Sequence, residues 1–223
     1  MSGQGEPTEN TAFLYPFIES EERDAGPLLA DLAASARAKA VLSKQLAAAT
    51  IGATSGAVAV CARAMAERFS AGGVLYTFGN GGSSSDAASV AALYSRPPSG
   101  RPLPARCLTE DPAIVTALGN DVGFELIFAR QLIAHARKGD MCLALSTSGG
   151  SKNLLVAADA ARKRGVLVVA MAGYDGGTLA RSPSVDHSLV VHSDSVHRIQ
   201  ESQAALAMEL WRTVQLELSR KAA

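Results

Sequence analysis

Apolar positions along the chain follow two different rhythms, and the change falls near residue 71. Before it, apolar residues recur at three- and four-residue spacing within Ala-rich stretches, which predicts helices over 27–49 and 51–70. In the second, Val58, Cys61, Met65 and Phe69 mark one face. The run "AGG" at 71–73 then closes that helix in the manner of a glycine C-cap.

Beyond residue 73, short apolar runs alternate with helical stretches. The runs are "VLYTF" (74–78), "ARCLT" (105–109), "MCLALS" (141–146), "VLVVAM" (166–171) and "SLVVH" (188–192). Helices are predicted near 84–95, 113–136, 152–164, 176–182 and 196–219. This alternation predicts an α/β protein: a three-layer, doubly wound, five-stranded parallel sheet with helices on both faces and additional N-terminal helices. In the last helix, Leu206, Leu210, Val214 and Leu218 form an apolar stripe with Trp211 beside it, which reads as core or as subunit interface.

No internal repeat or low-complexity linker interrupts 27–219, so 27–223 reads as one domain. Residues 1–26 read as an extension, with a disordered tip over 1–10. Its aromatic cluster, Phe13, Tyr15 and Phe17 with Leu14 and Ile18, is expected to dock on the body or on a neighbouring subunit.

Charge narrows the function classes. The 21 basic and 21 acidic residues of the 223 cancel, and no basic stripe stands out, which argues against direct nucleic-acid binding. A protein partner stays possible. The polar N-terminus lacks a signal-peptide core, and no charge-free apolar stretch of about 18 residues is evident, so the cytoplasm is the expected compartment and no membrane association is expected. Cys61, Cys107 and Cys142 are widely spaced and odd in number, which excludes a disulfide framework or zinc ribbon; Cys107 and Cys142 lie in apolar runs and are expected as core thiols.

In an open parallel sheet, ligands bind beyond the carboxyl ends of the strands. After the first strand comes "GNGGSSSDAAS", where glycines allow close backbone approach and a helix start offers free N–H groups to an anion. After the third comes "STSGGSKN" (146–153), again with hydroxyls and glycines before a helix. Each alone also reads as an ordinary capped turn, but two such loops on one sheet point to a phosphorylated ligand. Asn120 and Asp121, after the second strand, suit sugar hydroxyls.

Five motifs in order, "FGNGGSSSDA", "LTEDPAIVTALGNDVGFELIFARQL", "GDMCLALSTSGGSKNLLVAADAARKRG", "GYDGGTLA" and "RIQESQ", resemble the sugar isomerase (SIS) fold and most of all its sedoheptulose-7-phosphate isomerase branch, the phosphoheptose isomerases. The match runs over about residues 40–218. The resemblance implies a homotetramer and contacts to a sugar phosphate from Asn80, Gly81, Gly82, Asn120, Asp121, Ser146, Thr147, Ser148, Ser151 and Gln200.

The resemblance also implies proton-handling and zinc-binding groups that this sequence lacks. The family's His and Glu on the helix after the glycine loop, and its Gln and His on the last helix, fall here on Ser89, Leu93, Gln200 and Met208. Leu offers no donor, and a thioether does not replace imidazole on zinc. No metal is therefore expected. His197 is the strongest substitute catalyst, with Glu201 beside it and Asp121 or Glu125 toward the pocket, although a His at a helix start more often serves as a solvated cap. His135, His187 and His192 read as surface or edge residues. Two functions follow: a sugar-phosphate sensor or scaffold that has lost isomerase chemistry, or an active isomerase of sedoheptulose 7-phosphate or a similar sugar. The family's replication-initiator-associating members offer a parallel for the first, since they carry an incomplete isomerase site.

Overall fold

The computed structural model describes residues 26–222. The tip expected at 1–10 and the aromatic cluster at 13–18 lie outside the described residues. The chain divides into two units, Met1–Val41 and Leu42–Ala223. In the first, the described backbone is helical and presents Leu28, Leu29 and Leu32 to the exterior. The second unit carries the sheet.

Five strands form that sheet: β1 (Leu75–Gly79), β2 (Ala105–Cys107), β3 (Met141–Ser146), β4 (Leu167–Gly173) and β5 (His187–Val191). All pairings are parallel, in the order β2-β1-β3-β4-β5. The chain winds from β1 outward to β2 and then from β3 the other way, so the switch point lies between β1 and β3. The helices are α1 (Gly26–Ser70), α2 (Gly82–Ser95), α3 (Pro112–Asp121), α4 (Ile127–His135), α5 (Lys152–Lys163), α6 (Gly177–Ala180) and α7 (Val196–Ala222).

Side-chain alternation along the strands divides the core in two. Leu75, Leu143, Leu145, Val169 and Met171 face a cluster completed by Phe69 of α1, Tyr94 of α2 and Leu206, Leu210 and Val214 of α7. Tyr76, Phe78, Cys142, Ala144 and Val168 face the other cluster, with Phe128 of α4 and Leu154, Ala157 and Ala161 of α5. Helices therefore cover both faces, as the alternating pattern predicts. The α7 stripe is core along its whole length, Leu218 included. All three cysteines are free and buried, and burial pushes the Cys61 thiol up to about 12.

Helix boundaries differ from the sequence reading in two places. The break expected at residue 50 is absent, and α1 runs through Thr50, Ile51 and Gly52. No proline interrupts it, and Thr54 and Ser55 fold their hydroxyls onto the carbonyls of Thr50 and Gly52 within the helix. Conversely, the helical stretch expected over 113–136 holds two helices, α3 and α4. Gly123 adopts φ 102, and the N–H groups of Val122 and Gly123 both donate to Leu118 O at 3.1 Å, closing α3. One 3-10 turn, Phe124–Leu126, then leads into α4. By length and composition α1 would also span a membrane, as the core helices of many globular proteins would; its Val58, Cys61, Ala62, Met65, Ala66 and Phe69 are buried in the sheet core.

Candidate functional site

The two glycine–serine loops leave adjacent strands at the switch point, because β1 pairs directly with β3. Asn80 follows β1 at once, and its side-chain amide forms a reciprocal pair with Asn153 in the first turn of α5. Asn80 Nδ2 donates to Asn153 Oδ1, and Asn153 Nδ2 donates to Asn80 Oδ1, both at 2.9 Å. Asn153 is buried and Asn80 half-buried, so this clasp is the inner floor on which the loops meet.

Each loop then has its own support. In the first, Gly81 precedes α2 at φ 55, and Ser83 and Ser84 donate their N–H groups to Asn80 O and Gly81 O. Ser84 Oγ reaches Thr109 Oγ1 at 2.7 Å, tying the helix start to the end of β2. In the second, Ser146 is buried, and its Oγ accepts from Gly149 N at 2.9 Å. Ser148 Oγ accepts from Gly150 N at 3.3 Å. Ser151 caps α5 through its carbonyl alone, receiving Leu154 N and Leu155 N, while its hydroxyl makes no cap bond.

The loop after β4 buttresses the second cradle from outside. Gly149 sits at φ +64, and a Cβ there would lie 2.1 Å from Gly176 O. Leu179 N donates to Gly149 O at 2.8 Å. The stretch "GYDGG", read from sequence as a tight turn, thus holds the serine loop in place.

Helix α7 closes the arrangement. Gln200 and Gln203 lie three residues apart and so on one face. Gln200 Nε2 donates to Asp86 Oδ2 at 3.2 Å, and it packs so closely on Gly82 that a Cβ there would lie 2.3 Å away. Gln203 is fully buried, and its Nε2 donates to Ser146 O at 3.0 Å. One helix face therefore fixes both loops.

Behind the first loop, α2 and α7 enclose a cavity of about 460 Å³. It is lined by Ser89, Leu93 and Met208, with Asp86, Arg96 and Gln203 also on its wall. The fold thus brings Met208 of α7 beside Ser89 and Leu93, which lie one turn apart on α2. Their chemistry does not suit a zinc ion. Ser89 turns its hydroxyl back onto Ser85 O at 2.9 Å, Leu93 packs on the core, Met208 offers a thioether, and Gln200 offers only a weak neutral amide. Among the described residues, no group of three or more His, Cys, Asp or Glu side chains has metal-holding geometry. Asp86 is the one carboxylate on this wall. Burial raises its pKa above the ordinary carboxylate value, and the Gln200 hydrogen bond opposes that rise.

Other sequence candidates stand apart. Asn120 Nδ2 donates to Asp121 Oδ1 at 2.8 Å at the exposed end of α3, and no hydrogen bond joins either residue to the two loops. Glu125 is ion-paired with Lys152 in the first turn of α5. His197 and Glu201 are exposed on α7, and neither lines the α2–α7 cavity. His135 is exposed at the end of α4, His187 opens the edge strand β5, and His192 Nδ1 meets Tyr174 O at 2.9 Å. Sequence reasoning missed Asn153, Asp86 and Gln203. The signal for Asp86 was present in its place one helical turn before Ser89.

Known proteins match this arrangement closely. The SIS domain family matches residues 40–173. The phosphoheptose isomerase of Sulfurimonas denitrificans is 42% identical over 142 residues, which cover 63% of this chain and 72% of that one. That of Rhodospirillum rubrum is 43% identical over 152 residues, covering 67% and 80%. Among solved structures, a phosphoheptose isomerase from Francisella tularensis superposes with a TM-score of 0.76 at 32% identity, over 82% of this chain and 97% of that one. The enzyme from Neisseria gonorrhoeae gives 0.74 at 31% identity, over 83% and 98%. With its strand order, paired loops and these likenesses, the chain belongs to the SIS domain family, in its phosphoheptose isomerase branch.

Proposed function

We propose that this protein binds a phosphorylated sugar between the loops 80–82 and 146–151 and that the isomerase chemistry of its branch is lost or altered, leaving a cytoplasmic, homotetrameric ligand sensor or scaffold. The observation that carries this reading is the contrast across one site. The cradle is braced at every turn, by the Asn80–Asn153 clasp, by Ser146 on Gly149 N and by Gln203 on Ser146 O. The cavity behind it presents Leu93, Met208 and a self-satisfied Ser89. Thr147, Ser148 and Ser151 supply hydroxyls to the phosphate in this scheme, and Gln200 faces the sugar from α7.

Moving a proton between neighbouring sugar carbons needs an acid and a base at the carbon, each contributing roughly 10²–10⁴-fold. Leu93 and Met208 can do neither. A second reading, an active isomerase, is favoured by the activity for which the relatives are named and by Asp86, a carboxylate on the cavity wall whose raised pKa brings it nearer the range of a general base. In that reading Asp86 takes the proton and Gln200 orients its carboxylate.

Incubation with sedoheptulose 7-phosphate, following aldose formation, separates the two. The expected result is thermal stabilisation by the sugar phosphate without turnover. Turnover abolished by Asp86→Asn or His197→Ala would overturn the loss of chemistry. Absence of stabilisation by any sugar phosphate would overturn the cradle itself.

A further inference from the structure

A cavity of about 610 Å³ lies at the opposite end of the sheet from the cradle. It opens where β1, β2 and β3 begin, beside Val74, Ala105 and Asp140. Two guanidinium groups and an imidazole stand around it: Arg106 from the edge strand β2, and His135 and Arg137 from the end of α4 and the turn after it. We infer that this cavity is a second anion site, taking a phosphate- or pyrophosphate-type group independently of the sugar-phosphate cradle.

The positive charge is only partly offset. Asp140 is the one carboxylate on the wall, and it is buried and committed to backbone donors: Oδ1 accepts from Val74 N at 2.9 Å and Oδ2 from Arg137 N at 2.8 Å. Among the described residues, neither Arg106 nor Arg137 has a salt-bridge partner, whereas Arg162, Arg181, Arg212 and Arg220 all do.

Tyr76 also lines the cavity, and its hydroxyl donates to His135 O at 3.2 Å. Its phenol is subject to the field of both arginines, which opposes the rise that burial and Asp140 impose. Two arginines lining one cavity offer guanidinium donors of the kind that phosphate oxygens accept from. A neighbouring cavity of about 500 Å³ shares Tyr76, Arg106 and His135 but also carries Glu110 and Asp111, so the phosphate-type group belongs in the first cavity and only an uncharged or cationic part of a larger ligand would extend there.

Isothermal titration of the full chain with inorganic pyrophosphate, at fixed ionic strength, tests the site. Wild-type protein is expected to bind two equivalents, one in each site. The variant Arg106→Gln/Arg137→Gln is expected to lose one of them, its affinity falling roughly tenfold or more for each guanidinium removed. Arg106→Lys/Arg137→Lys retains measurable binding. Both side chains are exposed, so thermal unfolding of the ligand-free variants stays at the wild-type temperature. If wild-type protein binds a single equivalent that the Gln pair abolishes, the second site stands and pyrophosphate does not enter the cradle, whose own test is the sugar phosphate. Unchanged stoichiometry and affinity in the Gln pair, or no pyrophosphate binding at all, would overturn the inference.

Discussion

Removing one half of the Asn80–Asn153 clasp has a cost that the geometry bounds. Asn80→Ala deletes two neutral hydrogen bonds, both at 2.9 Å, each worth about 1 kcal/mol net. It also leaves the amide of Asn153, 3% exposed, without its partner, at a further cost of about 1–3 kcal/mol. The total is about 3–5 kcal/mol if water does not enter, and about 2 kcal/mol if it does. For a domain of this size each kcal/mol moves Tm by about 2–4 °C, so the melting temperature should fall by at least about 4 °C. Asn153→Ala removes the same two bonds, and the double variant has nothing further to lose from the pair. Urea unfolding of the two single variants and the double should therefore give a coupling energy of at least about 2 kcal/mol. Single costs that add to within about 0.5 kcal/mol would refute the clasp as an energetic unit. The same variants should show a smaller thermal shift with sugar phosphate, because the clasp sets the spacing of the two loops.

Two further outcomes follow from the same geometry. Gly149→Ala places a methyl 2.1 Å from Gly176 O at φ +64, so the left-handed conformation alone costs about 1–2 kcal/mol and one loop must also shift; unfolding at least about 2 kcal/mol easier, with loss of sugar-phosphate stabilisation, is expected in a denaturant titration, and an unchanged midpoint would contradict it. Asp86 has a folded pKa raised by burial, so its contribution to stability is present below its unfolded value and lost as pH rises through the folded one. Asp86→Asn, which keeps an acceptor for Gln200, should therefore gain on wild type between pH 4 and pH 7 in urea unfolding, and a difference that shrinks over that interval would reverse the assigned cause.

The sequence by itself determined the elements and their class. Each of the five apolar runs is a strand in the structure, shifted by no more than a residue or two at most ends, and the three inner strands β1, β3 and β4 are buried on both faces and so apolar almost throughout. The loops were legible as a pair: either one alone reads as an ordinary capped turn, and it was two glycine–serine loops after strands of one sheet that pointed to a ligand. Helix ends were less so. Gly123 ends α3 by taking φ 102, whereas Gly52 passes unmarked inside α1, and no local pattern separates the two glycines. What only the tertiary structure decided is which distant groups meet. Asn80 finds Asn153 across 73 residues and Asp86 finds Gln200 across 114, because β1 and β3 are neighbours and α7 returns over α2. Those contacts are set by strand order and helix packing, which the local hydrophobic rhythm does not encode. They turn two serine loops into one cradle and gather Ser89, Leu93 and Met208 around a single cavity.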